Sequence, residues 1–450
     1  MIDSVFLDET LDHFLHLLKL DTTNPPGNEK IVVDYLSRIF DREDIPYEIV
    51  ETAPNRANIV ARLSAGVPES GLLLSAHSDV VPANPARFRY PPFSATIADG
   101  FIWARGAIDM KYMMAYNLAA ILAAKRNKIP LKRDLVFAAV AGEETGCQYG
   151  SLELVQNHPD LIKAEYCLTE MGGLTFEIGN KRFYPIQVAQ KGFVWMRAST
   201  KGQQGHGSVL RDHYATIDLV RALSALGNGK LGFRLTDATA GMLRGIGQSL
   251  PLFLGGVMQG LRNEKIAGLM NKYLLKDPEL SAYFTAALND TITITGLSGG
   301  DKENVVPESA SALLDIRFLP GRSAQDVINQ VSSMLGKDVD VEVLHAAEPY
   351  EAPMESALTS AITKAVERMD PTARVVPYLL SGYTDAIAFQ KLGIKTYGFG
   401  PLPLPKGLQA SSLVHGIDER IPLEGFRFGI SVFVPLVLEF LTTEPQSADT

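Results

Sequence analysis

Residues 72–82 read LLLSAHSDVVP. A mostly apolar run from Leu72 to Ala76 leads into His77 and Asp79, and the chain turns apolar again before Pro82. A short apolar run bounded by polar residues fits a strand buried on both faces, as in a mostly parallel sheet. In open α/β sheets ligands bind beyond the carboxyl ends of the strands. An imidazole and a carboxylate at such an end therefore point to a site as well as to a fold.

The segments around this strand extend the pattern. Residues 5–20 and 29–41 have helical periodicity, and NIVARL (58–63) reads as a strand. MKYMMAYNLAAILAAKRN (110–127) reads as a long helix, followed by strands in RDLVFAAVAGEE (133–144) and AEYCLTE (164–170). Strands alternating with helices imply a mostly parallel sheet with helices on both faces. The texture changes near residue 190. FYPIQVAQKGFVWMRAST (183–200), TITITGLSGG (291–300) and SASALLDIRF (309–318) alternate with period two, as antiparallel strands do. A helix-rich, apolar stretch lies between them at 211–289. The α/β texture returns with a helix at 356–369, IKTYGFGP (394–401) and a final helix over 423–442.

The expected fold class is therefore α/β, interrupted by an inserted α+β domain. Its parts are 1–189, the insertion 190–347 containing the helix-rich 211–289, and 348–450. The closing TEPQSADT (443–450) is expected to fray.

Bulk properties narrow the function. The 450 residues exceed one ordinary core, and 46% hydrophobic with 21% charged residues fits a globular chain. The net charge of −9 disfavours a nucleic-acid partner, which rewards a basic face. Two cysteines, Cys147 and Cys167, exclude a disulfide framework and a thiolate zinc site. The first twenty residues carry acidic groups where a signal peptide carries basic ones, and no run of 18 apolar residues spans a membrane. A cytoplasmic location is the expectation. No G-x-x-x-x-G-K-[ST] and no strand-following G-x-G-x-x-G supports a nucleotide enzyme.

The chemistry-bearing residues cluster at strand ends: His77 and Asp79, Asp109 in GAIDMK, Glu143 and Glu144 after LVFAAVAG, and Glu170 after AEYCLT. One carboxylate at a strand end is ordinarily a cap or a surface group. Several at neighbouring ends would repel one another, and a multivalent cation compensates them. Of the eight histidines, His77, His206 and His415 lie among Gly, Ser and acidic residues, whereas His13 and His16 fall on the first helix and His345 in a loop. Histidine and carboxylate ligands without cysteine suit zinc, cobalt or manganese. Two histidines and three carboxylates exceed one tetrahedral site and suit two metals sharing a carboxylate.

These motifs, SAHSDVVP, ARGAIDMK, AGEETG, LTE and VHGIDE, resemble in order those of the di-zinc aminoacylase, carboxypeptidase G, acetylornithine deacetylase and succinyl-diaminopimelate desuccinylase family. The resemblance implies a zinc-peptidase-like α/β domain and two Zn2+ per subunit, with Co2+ or Mn2+ also compatible. It implies that His77, Asp109 and Glu170 hold one metal, that Asp109, Glu144 and His415 hold the other, and that Asp109 bridges. Asp79 would orient His77 through its far ring nitrogen. Glu143 would be the general base toward a water shared by the metals.

The inserted domain resembles that family's lid. His206 in KGQQGHGS would donate to the oxyanion. Asn304 and Arg317, and Gly382 and Thr384 of SGYTDA, would line the substrate site, with Arg317 clamping a carboxylate. A homodimer through the lid stays open.

Two departures from the family pattern stand out: Tyr112 after Asp-x-Lys and Cys147 after Glu-Glu-Thr-Gly, where many relatives have glycine. The expected function is hydrolysis of an amide bond in an N-acyl amino acid or short peptide with a free carboxylate. The apolar insertion tilts this toward a hydrophobic acyl or side-chain group. Desuccinylation or acetylornithine-type deacylation is the alternative. The non-enzyme alternative, a silent metal-binding module, would lack the base or the bridge, and both Glu143 and Asp109 are present.

Overall fold

The computed structural model describes residues 3–209, 211–273 and 278–444; the tail from 445 lies outside them. A 10-stranded sheet carries the α/β domain. Its centre is parallel. Leu72–His77 lies between Leu135–Val140 and Tyr166–Thr169, and Lys395–Gly398 pairs with Tyr166–Thr169. Antiparallel strands flank this centre, among them Arg56–Leu63 on one side and Lys181–Gln190 on the other.

The decisive strand is buried on both faces. Leu72, Leu74 and Ala76 join a core with helices Ser4–Lys19, Tyr112–Arg126 and Leu423–Leu441, while Leu73 faces Leu154, Ala388 and Phe389 on the other side. That two-sided cover is why the run shows no polar alternation.

A second, 5-stranded antiparallel sheet forms the inserted domain, in the order Lys230–Phe233, Asn289–Ser298, Ser309–Phe318, Gly192–Lys201, Asp340–Ala347. Helices Ala215–Ser224 and Ala324–Leu335 cover one face, around Val194, Met196, Leu314 and Ile316. Ser323 starts the second helix with a capping box to Asp326. The alternating stretch 183–200 thus supplies strands to two different sheets, and Lys191 joins them. Its backbone N–H donates to Leu380 O (3.0 Å) and its ammonium to Asn289 O (2.7 Å). His345 lies in a strand, not a loop, edge-on to Trp195 at 5.6 Å.

Much of the helix-rich stretch packs on the α/β sheet, while its first helix covers the inserted one. Met242, Leu243, Ile246, Val257, Met258 and Phe284 pack with Ile178, Phe183 and Val376 of the α/β sheet. Helix Asp237–Ser249 lies close on the edge strand Arg374–Leu380. A Cβ at Gly241 would stand 2.9 Å from Pro377 Cγ, and one at Gly245 would stand 3.0 Å from Val376 Cγ1. Tyr283 stacks on Tyr378 (5.2 Å) and donates to Leu379 O (3.3 Å). Among the described residues no helix is long and apolar enough to cross a membrane.

Phe284 is fully buried in this contact. Truncation to alanine should weaken the docking of these helices by about 3–5 kcal/mol. Hydrogen exchange should then show faster exchange in Asp237–Ser249 and in Arg374–Leu380, with the parallel centre unchanged. Unaltered exchange there would mean that the helices are held by other contacts.

Candidate metal centre

Each ligand-type residue sits just past a strand or in a tight turn at one end of the parallel sheet. His77 ends Leu72–His77, opposite Val140 of Leu135–Val140. Glu170 follows Tyr166–Thr169. Glu143 and Glu144 occupy a single turn, Glu143–Thr145, between Gly142 (φ +73°) and Gly146 (φ +98°). These left-handed angles let the chain reverse at once after the strand. Cys147 continues the turn at φ +66°, a left-handed conformation that glycine adopts with less strain.

The histidines converge on Asp109. His77 Nε2 is 3.0 Å from Asp109 Oδ1 and 3.6 Å from Glu170 Oε2. His415 Nε2 is 3.1 Å from Asp109 Oδ2 and 3.1 Å from Glu144 Oε2. Asp109 therefore lies between two sets, one with His77 and Glu170, the other with His415 and Glu144. Glu143 offers an oxygen within 4.8 Å of ligand atoms on His77 and Glu170. His77, Asp109, Glu143 and Glu170 are buried, and His415 alone is half open.

The electrostatics of this cluster favour a cation. Burial, then Glu170, pushes the Glu143 carboxyl well above its usual range. Burial and Asp109 raise Glu144, and raise Glu170 to about 8. Hydrogen bonds to Asp109 and Glu144 lift His415 to about 10. Burial opposes ionisation of Asp109, yet His415 and His77 hold its carboxyl well below the usual range. Glu144 Oε1 and Glu170 Oε2 are buried without a hydrogen-bond partner. Converging Nε2 atoms, crowded carboxylates and orphaned oxygens fit a pair of divalent cations.

Asp79 lies against His77 and also reaches a second element of the site. The nearer partner of His77 Nδ1 is the Asp79 carbonyl, at 3.0 Å; the carboxylate is at 3.6 Å. That carboxylate also accepts from the backbone N–H groups of Glu143 and Glu144 (3.2 Å each) and from the Asn24 amide (2.7 Å). One residue thus fixes the ring of His77 through its carbonyl and the Glu143–Glu144 turn through its side chain.

The remaining expected residues lie farther off. His206 is exposed on a short ribbon paired with Val305 and held by Ser208 (2.8 Å), and the Asn304 carbonyl accepts from Gly207 N–H. Among the described residues His206 has no hydrogen bond or ion pair with the cluster. Arg317 pairs with Asp315 of its own strand (2.7 Å), leaving Nη1 without a partner beside the rings of Phe193 and Tyr383. Thr384 is fully buried and its hydroxyl donates to Gln190 (2.8 Å), so it shapes the loop from beneath. Gly382 is half-buried beside Tyr383, whose hydroxyl donates to Glu143 O (3.4 Å). Sequence reasoning passed over Tyr383, Asn24, Arg105 and Glu419. Tyr383, Arg105 and Glu419 lie inside SGYTDA, ARGAIDMK and VHGIDE, beside residues that drew the attention, and Asn24 lies between the first two helical stretches.

A mixed sheet with a parallel centre, an antiparallel inserted sheet and a two-histidine carboxylate cluster together define a metallo-hydrolase. Residues 73–439 match the model of Peptidase family M20/M25/M40, and the chain belongs to that family. It is 26% identical over 412 residues to the N-fatty-acyl-amino acid synthase/hydrolase PM20D1.1 of Danio rerio, covering 86% of this chain and 75% of that one. It is 27% identical over 446 residues to a probable succinyl-diaminopimelate desuccinylase of Staphylococcus aureus (strain MSSA476), covering 96% and 98%. The fold is that of the M20 family metallo-carboxypeptidase Sso-CP2 from Sulfolobus solfataricus, at TM-score 0.74 and 20% identity over 97% of this chain and 100% of that one.

Loading this centre must displace protons held by Glu170 up to about 8 and by His415 up to about 10. Calorimetric titration with Zn2+ in buffers of different ionisation enthalpy should show net proton release. The apparent affinity should rise with pH below those values. Binding without proton release would contradict the described charge state.

Proposed function

We propose that the protein hydrolyses the amide bond of an N-acyl amino acid or dipeptide bearing a free carboxylate, at a two-zinc centre. Co2+ and Mn2+ fit the same donors. The observation that carries this reading is Asp109 held between His77 and His415, with Glu143 beside them. In it, His77, Glu170 and Asp109 would hold one cation, and His415, Glu144 and Asp109 the other. The cations would supply Lewis acidity toward the scissile carbonyl and toward water.

The protein's own groups supply the rest. Glu143 takes the proton from the attacking water and returns it to the leaving amine nitrogen. Asp79 keeps Glu143 aimed by gripping the backbone of its turn. The unpaired Nη1 of Arg317 is the donor available to a substrate carboxylate, with Tyr383 and Phe193 as its walls. His206 would donate to the developing oxyanion from the inserted domain. Its exposed place requires either closure of that domain or a site in a second copy, so a homodimer through the inserted domain belongs to this reading.

The insertion argues less for a hydrophobic substrate, because many of its apolar side chains pack on the α/β sheet, although Leu252 and Phe253 stay exposed. Desuccinylation is therefore the second reading. It is supported by the Staphylococcus aureus relatives, which align over nearly their whole length.

The test is a panel of N-acyl amino acids, N-succinyl amino acids and dipeptides, with metal content measured in parallel. Wild type should turn over one of these classes and lose activity on chelation. Glu143→Ala should keep its metals and lose about 10²–10⁴-fold in kcat. Arg317→Ala should mainly raise KM. Undiminished turnover by Glu143→Ala would overturn the mechanism.

A further inference from the structure

Asp109 and His415 are more than 300 residues apart, yet their side chains meet at 3.1 Å. Neither lies on a regular strand that would fix that meeting. Asp109 sits in the irregular turn Ala107–Lys111, and His415 sits in a loop at φ +59°.

What joins the two segments is a buried ion pair. Glu419 is fully buried, and both its carboxylate oxygens are used. Oε2 accepts from Arg105 Nη1 (2.5 Å) and from Gly106 N–H (2.9 Å). Oε1 accepts from Ile108 N–H (2.7 Å) and from the backbone N–H of Asp109 itself (3.2 Å). Arg105, also buried, turns its other arm to the carbonyls of His415 (3.3 Å) and Gly416 (3.0 Å). The Glu419 carbonyl accepts from Ala104 N–H (3.1 Å). Each residue of the pair thus grips the backbone that carries the other's neighbouring ligand.

We infer that Glu419 and Arg105 are positioning residues that set the span between Asp109 and His415, and so govern the cation held on the His415 side. This rests on the two-cation reading above. The His77 side has its own supports, the parallel strands and the Asp79 carbonyl. Loss of the pair should therefore be felt unequally by the two sites.

Glu419→Gln keeps the shape but replaces one acceptor with a donor that would face N–H groups on either side. Arg105→Lys keeps the charge but loses the fork to His415 and Gly416. Zinc bound per chain and stepwise Zn2+ affinities would be measured for wild type, both variants and His415→Ala, with circular dichroism and thermal melting as fold controls. Wild type should bind about two ions. Glu419→Gln should weaken one step by about 10–100-fold and leave the other near wild type, reproducing the His415→Ala pattern. Arg105→Lys should do the same to a smaller degree.

Wild-type affinities at both steps in both variants would overturn the inference while leaving the two-cation reading intact. Equal weakening of both steps would overturn it as well, by showing a general structural role. If Glu419→Gln fails to fold, the stepwise affinities of Arg105→Lys decide. A wild-type chain that binds fewer than two ions would instead defeat the two-cation reading, and the inference with it.

Discussion

The constraint on which the rest depends is charge crowded into a dry place. Asp109, Glu143, Glu144 and Glu170 lie with His77 at the end of a buried parallel sheet, where isolated charges are costly. The two histidine contacts to Asp109 relieve part of that cost. Burial still pushes the Glu143, Glu144 and Glu170 carboxyls up, a cost that a bound cation would offset. Such a cluster survives in a folded chain only when its backbone is held from several directions.

The sheet provides the first hold. Three parallel strands end together and bring His77, Glu170 and the Glu143–Glu144 turn to one edge. Asp79 provides the second by gripping that turn, and the Glu419–Arg105 pair provides the third for the non-strand ligands. The inserted domain is tied to the same framework. Its connecting helices rest on the strand Arg374–Leu380, which runs directly into the loop carrying Tyr383 and Asp385. Asp385 accepts from Ser151 (2.5 Å) behind the Glu143 turn, so this loop also supports the centre.

Much of this was legible in the sequence, for physical reasons. A strand buried on both faces reads as a nearly continuous apolar run, so Leu72–Ala76, broken only by Ser75, and Leu135–Val140 announced the parallel centre. Ligand-type residues at the ends of such runs had few structural duties to explain them. The partners of those ligands were harder to see. The Asp79 carboxylate and Glu419 act on backbone N–H groups, and a sequence does not show where backbone amides point. An apolar helix carries the same periodicity whichever surface it packs on, so 211–289 could not reveal that it leans on the α/β sheet. Thr384 looked like a lining residue because its motif lies at the site, whereas its hydroxyl is committed beneath the loop to Gln190.

The central claim is that Asp109 is shared by two cations. Anomalous diffraction at the zinc edge, from crystals equilibrated with Zn2+, tests it most directly. The account predicts two peaks about 3.5–4 Å apart, one toward His77 and Glu170 and one toward His415 and Glu144, with Asp109 between them. A single peak, or density away from Asp109, would contradict it.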